Sequence, residues 1–153
     1  MADGDVALIV GAGSGLSASL ARRFSREGMQ IALAARNTDK LGGLVAEVGG
    51  RAWICDTADP DAVEALFRDV EGTLGAPNLV VFNASRRLRG AITEIDPETV
   101  RNAILVTAYG GFLVGQAAAK RMVPAGGGTI LFTGASAGVK GFARSATFAM
   151  GKF

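Results

Sequence analysis

Five short runs in this chain are apolar without alternation: VALIV at Val6–Val10, QIALAA at Gln30–Ala35, AWIC at Ala52–Cys55, LVVF at Leu79–Phe82 and TILFT at Thr129–Thr133. A strand with one wet face alternates apolar and polar residues, so unbroken runs point to strands buried on both faces. Helical patterns separate them. Leu16, Leu20 and Phe24 recur every four residues before Gly28, and Leu41, Leu44, Val45 and Val48 share one side of a helix expected over 38–48. Asp59-Pro60 and Asp96-Pro97 each join an amide-accepting cap to a proline suited to the first helical position. The first pair opens a helix with Ala62, Val63, Leu66 and Val70 inward. The second opens a long helix to about Val123, and a last helix is expected from near Ala146. Alternating strands and helices joined by right-handed crossovers give an α/β fold, a doubly wound parallel sheet with helices on both faces. The βα unit is the only recurrence, and 153 residues suit one domain, 1–153.

The first strand runs straight into GAGSGLS. Gly11, Gly13 and Gly15 crowd this turn, where missing Cβ atoms let the backbone bend sharply and approach a pyrophosphate. The helix that follows aims its free amides and positive dipole end at the same place. A glycine triplet alone says little. Between a strand and a helix, inside a strand-helix-strand unit, it is the fingerprint of a Rossmann-type dinucleotide site. An acid at the end of the second strand would select NAD by binding the ribose diol. Ala35-Arg36 stands there instead, and a guanidinium fork pairs with a 2′-phosphate, so NADP is favoured and NAD remains possible. Asp56 after the third strand and Asn83 after the fourth lie at the carboxyl edge where ligands bind; both also suit turns that bond their own backbone.

Composition narrows the function. The net charge of +2 gives no ground for nucleic acid or an anionic membrane as partner. Arg86, Arg87 and Arg89 form the densest basic spot, readable as a solvated loop or as a grip on an anionic ligand. There is no histidine, which removes Ser-His-Asp and Cys-His catalysis and, with a single cysteine, argues against a metal site. The lone Cys55 has no partner for an internal disulfide, which fits a reducing cytoplasm. The opening MADGDVALIV is acidic with a short apolar run and is not expected to be a signal peptide; no later segment is expected to span a bilayer.

These residues, in this order, resemble the short-chain dehydrogenase/reductase family over essentially the whole chain. GAGSGLS is similar to that family's cofactor loop, with Ser17 in place of the last glycine. CDTAD resembles its adenine-contacting turn, and FNAS its strand-ending Asn-Asn-Ala-Gly, with Ser85 for glycine. FAMGK keeps the Tyr-x-x-x-Lys spacing with Phe148 in the tyrosine place. The resemblance implies cofactor contacts at Gly11, Gly13, Ser14, Gly15, Leu16, Arg36, Asp56, Thr57, Asn83, Ala84 and Lys152. It implies catalytic positions at Thr107 (the asparagine place), at Ala135 or its neighbour Ser136 (the serine place) and at Lys152.

The implied activity is hydride transfer between a nicotinamide cofactor and a small carbonyl or alcohol substrate. Phenylalanine has no proton to give the developing alkoxide, a contribution worth about 10²–10⁴-fold in general acid catalysis. Tyr109, the only tyrosine, lies two positions past Thr107, where helix residues face different ways, so it is not expected to substitute. A weakly active or inactive NADP-binding module is the alternative. Family members continue with further strand–helix units, so the resemblance also implies that C-terminal strands are missing and that the chain is a fragment of a longer dehydrogenase. Ending at Phe153 would leave the fifth strand as an open apolar edge. The long helix 97–123 is the expected contact of a homo-oligomer.

Overall fold

The computed structural model describes residues 4–153; the acidic start at Met1–Asp3 lies outside the described residues. Five parallel strands form one sheet in the order β3-β2-β1-β4-β5: β1 (Val6–Val10), β2 (Gln30–Ala35), β3 (Arg51–Ile54), β4 (Leu79–Phe82) and β5 (Thr129–Phe132). The register pairs Val6 with Gln30 on one side of β1 and Ala7 with Leu79 on the other. The order reverses between β1 and β4, which opens a crevice at their carboxyl ends.

Helices cover both faces. Val6, Leu8, Val10, Val80 and Phe82 point to one side, where α3 (Pro60–Leu74) and α5 (Gly110–Met122) supply Val63, Leu66, Phe67, Val70, Val114 and Met122. Ala7, Ile9, Ile31, Leu33 and Val81 point to the other, against Ala21 of α1 (Leu16–Arg26) and Val48 of α2 (Gly42–Val48). Phe67 is fully buried, a burial that stabilises by about 1.5–3 kcal/mol. Asp59 caps α3 by accepting from the amides of Asp61 and Ala62, and Asp96 caps α4 (Pro97–Ile104) through Thr99 N. Arg121 of α5 joins Glu64 and Glu71 of α3 at 2.7 and 3.0 Å, with its guanidinium 5.1 Å above the Phe67 ring.

The structure corrects several expectations. The central strands β1 and β4 are buried on both faces, but β3 and β5 are edge strands with only one neighbour each. Leu131 and Phe132 are exposed on β5, the open apolar edge that was expected, and Ile54 is exposed on β3, so unbroken apolar runs do not by themselves show two-sided burial. The helix expected over 38–48 is a 3₁₀ turn at Asp39–Leu41 followed by α2, because the Gly42-Gly43 pair is a poor helix former at the junction. The long helix is not uniform either. Leu105–Tyr109 forms a π-turn between α4 and α5. Pro97–Met122 contains an 18-residue window with a mean hydropathy of 1.2, long and apolar enough to cross a membrane by length and composition alone, against the sequence expectation. In this fold it is a core helix: Ala103, Val106, Val114, Ala117, Ala118 and Met122 are buried in the protein. The last helix, α6 (Ala146–Lys152), begins where the sequence placed it.

Candidate active site

The turn between β1 and α1 is fixed from three directions. Gly11 has φ +84°, and an added Cβ would overlap the backbone of Asn83 and Ala84. Its amide and that of Ala12 both donate to Ala34 O at 2.9 Å. Ser17 Oγ donates to Gly11 O at 3.1 Å, and Asn83 Nδ2 donates to Ser17 Oγ at 2.8 Å. Asn83 N donates to Val10 O at 2.8 Å. A chain of hydrogen bonds therefore runs from the end of β4 through α1 to the glycine turn. Ser17, whose place the sequence comparison gave to a glycine, is the link; a buried serine in the first turn of a helix gave no signal of it.

Gly13 and Gly15 meet no protein atom within 4 Å of an added Cβ, so neither is required by the protein's own packing. The space beside them is available to a ligand. The head of α1 has no side-chain cap and no acid in its first turn, and Leu16 is exposed beside it. Its free amides suit a pyrophosphate.

A cavity of about 320 Å³ opens at the sheet reversal, lined by Gly11, Arg36, Thr57, Asn83 and Ala84 among others. Five residues named from the sequence thus converge. Thr57 is buried and donates from Oγ1 to Val106 O at 3.2 Å. Gly110 lies against it, leaving no room for a side chain. Arg36 is exposed and makes no ion pair among the described residues. Asp56 is exposed outside the lining, with Oδ1 accepting from Ala58 N at 3.0 Å as a turn former; its other oxygen has no such bond. Burial, with Asp56 and Asp59 adding to it, pushes the Cys55 thiol up to about 11, so this residue is an inert part of the wall.

The three positions expected to be catalytic line two cavities on either side of α6, whose end packs against both the π-turn at Thr107 and the turn that Ser136 opens. Thr107 and Lys152 line an apolar groove of about 530 Å³ between α5, β5 and α6, with Phe82, Phe132 and Thr133. Ser136 lines a separate cavity of about 490 Å³ with Ala135 and Phe148. Lys152 Nζ donates to Thr133 O at 2.6 Å, and burial holds the ammonium's pKa below its ordinary value. Thr107 is buried in the π-turn, and its Oγ1 accepts from Arg86 N at 3.1 Å, so it pins the loop after β4. Gly151 packs directly on Thr107: an added Cβ would lie 2.8 Å from Thr107 Cβ. Tyr109 lines neither cavity; it is partly exposed and stacks on Phe112, ring centres 6.4 Å apart. Phe148 is half-buried, with the Arg87 guanidinium 5.2 Å above its ring. That contact joins residues far apart in sequence and had no local signal.

The comparisons with known proteins agree with this geometry. A family profile described as short chain dehydrogenase matches residues 5–153. The D-threitol dehydrogenase of Mycolicibacterium smegmatis is 30% identical over 99% of this chain; the chain spans less than two-thirds of that relative, 60% of its length. Among solved structures, the F189W actinorhodin polyketide ketoreductase with NADPH superposes with a TM-score of 0.92 at 28% identity, over 97% of this chain and 59% of that one. A metagenomic short-chain oxidoreductase in complex with NADP gives a TM-score of 0.92 at 27% identity, over 98% of this chain and 71% of that one. Glycine turn, sheet order, reversal crevice and sequence match all lead to one placement: the chain belongs to the short-chain dehydrogenase family.

Proposed function

We infer that this chain is the dinucleotide-binding domain, 1–153, of an NADP-dependent oxidoreductase acting on a small carbonyl or alcohol, in the cytoplasm. One observation carries the reading: at the sheet reversal, a turn locked around Gly11 leaves open space at Gly13 and Gly15 beside the free amides of α1. The residues fit the cofactor. The turn and the head of α1 suit the pyrophosphate, and unpaired Arg36 suits a 2′-phosphate. Thr57, Asn83 and Ala84 wall the space between. The names of NADPH- and NADP-bound structural relatives support NADP.

Bound NADPH would supply a hydride. The chain's own part is to hold the carbonyl near the serine and phenylalanine positions and to meet the negative charge on its oxygen. Ser136 can donate a hydrogen bond there, but Phe148 has no proton to transfer, so the alkoxide takes its proton from water. Lys152 contributes a cation whose charge burial disfavours, already bonded to Thr133 O. Slow turnover follows. The same two facts favour a second reading, a module that binds NADP without turnover.

Incubation with NADPH and a panel of aldehydes, ketones, imines and enones separates the two. Slow oxidation supports the enzyme, and tight binding with no oxidation of any panel member supports the module. A homo-oligomer built on the long helix is consistent with exposed, stacked Tyr109 and Phe112 on one side of it. A monomeric mass by size-exclusion chromatography with light scattering would refute that assembly.

A further inference from the structure

The cavity that holds Ser136 and Phe148 has a second group of walls that the reaction does not explain. Arg87 and Arg89, from the loop after β4, line it opposite Phe142, Ala143 and Ser145, from the segment before α6. The two walls are clasped by one backbone hydrogen bond, from Gly90 N to Arg144 O at 3.2 Å. Arg144 holds φ +60°, a left-handed conformation unusual for a residue with a side chain, so this closure is a specific shape of the loop. No Asp or Glu lines the cavity, and neither Arg87 nor Arg89 forms an ion pair among the described residues. Nearby Lys140 adds positive charge, its Nζ 5.4 Å from the centre of the Phe142 ring.

Unpaired guanidiniums on an otherwise ordinary surface loop carry little meaning. Here they share a concave site of about 490 Å³ with the residues at the serine and tyrosine places. The Arg87 guanidinium lies 5.2 Å over the Phe148 ring, a cation–π contact that uses none of its N–H donors. Arg86, by contrast, faces elsewhere in function: its amide is tied to Thr107 and it does not line the cavity. Arg36 lines the nucleotide cavity, so the two cationic sites are separate.

We propose that Arg87 and Arg89 form an oxyanion-binding subsite that selects an acidic substrate, one carrying a carboxylate or a phosphate ester beside its reacting group. The subsite rests on the dehydrogenase reading for its role in catalysis but not for its ability to bind. The anionic end lies against the two guanidiniums, and the reacting carbon is left toward Ser136 and Phe148. Paired, charge-assisted donation of this kind discriminates a charged ligand from its neutral isostere.

The test is calorimetry on protein saturated with NADP⁺, titrated with benzoate, phenyl phosphate and the neutral isostere benzamide. Benzoate or phenyl phosphate should saturate, with benzamide at least about ten-fold weaker; Arg87→Ala and Arg89→Ala should each weaken the anion by about ten-fold, the worth of a charged hydrogen bond. Arg87→Lys should recover part of the loss, and circular dichroism should show each variant folded. The preference between benzoate and phenyl phosphate decides which oxyanion the subsite takes. Equal binding of benzamide, or indifference to both alanine variants, would overturn the subsite. Failure of the anions in protein that takes up NADP⁺ sinks the subsite alone. Anion binding by protein that takes up no NADP⁺ keeps the subsite and sinks the dehydrogenase reading.

Discussion

The two ends of the sheet's carboxyl edge are built to different standards. At β1 and β4, backbone shape does the work: Gly11 cannot accept a Cβ, and Ser17 and Asn83 bind the turn to the neighbouring strand. At β5 and α6, a few side chains do it. Thr107 and Ser136 line different cavities, Lys152 is bonded to a main-chain carbonyl, and the Phe148 ring lies under the Arg87 guanidinium. Shape of the first kind is hard to change without losing the fold. Chemistry of the second kind is exchanged one residue at a time, and the scaffold does not register the difference.

The largest effect is expected at the rigid end. Gly11→Ala should destabilise the protein by about 3 kcal/mol, combining left-handed strain with overpacking against the β4 end, and should abolish NADPH binding. Urea titration and fluorescence of bound NADPH check both. A variant that folds and binds like the parent would erase the contrast between the two ends. At the permissive end, Phe148→Tyr should leave stability nearly unchanged and raise carbonyl reduction by about 100-fold, the lower range for general acid catalysis because Lys152 is held by Thr133. No gain in rate, with cofactor still bound, would show that more than the acid is missing.

Arg36→Asp should shift the NADPH-to-NADH affinity ratio by roughly 10- to 100-fold toward NADH, the loss of charge-assisted bonds to a phosphate. An unchanged ratio would mean that Arg36 is only a surface residue. The smallest effect concerns Lys152. Its pKa in the folded protein lies below the ordinary lysine value of 10.5 because burial disfavours the charge. The unfolded chain then binds the proton more tightly than the folded one in that interval. Stability should therefore rise slightly as pH climbs from the lowered value to 10.5, and Lys152→Met should flatten the rise in denaturant midpoints. A rise that survives in the variant would assign it to another group.

The sequence shows the rigid end well and the permissive end poorly, for a physical reason. Strand, glycine turn and helix are contiguous, so Gly11, Arg36 and Asn83 can be found from neighbours in the chain, and the structure brings them to one cavity. Asp59 and Asp96 caps are local too, and both form. The exposed edge at β3 was misread because burial of a strand depends on which strands flank it, and AWIC looks as apolar as VALIV in the text, whereas the open edge at β5 was expected. The π-turn at Leu105–Tyr109 carries no composition signal, yet it sets where Thr107 lies. Arg87 on Phe148 is a contact between distant segments, and so is Lys152 on Thr133. Spacing keeps the lysine at its place but cannot show what holds its ammonium.

Calorimetric titration of the folded protein with NADPH, then with NADH, tests the nucleotide turn most directly. The expected result is one saturable site per chain for NADPH, with NADH weaker by at least about ten-fold, as an Arg36–phosphate contact requires. Absence of saturable heat with either nucleotide, from protein whose circular dichroism is intact, would contradict it.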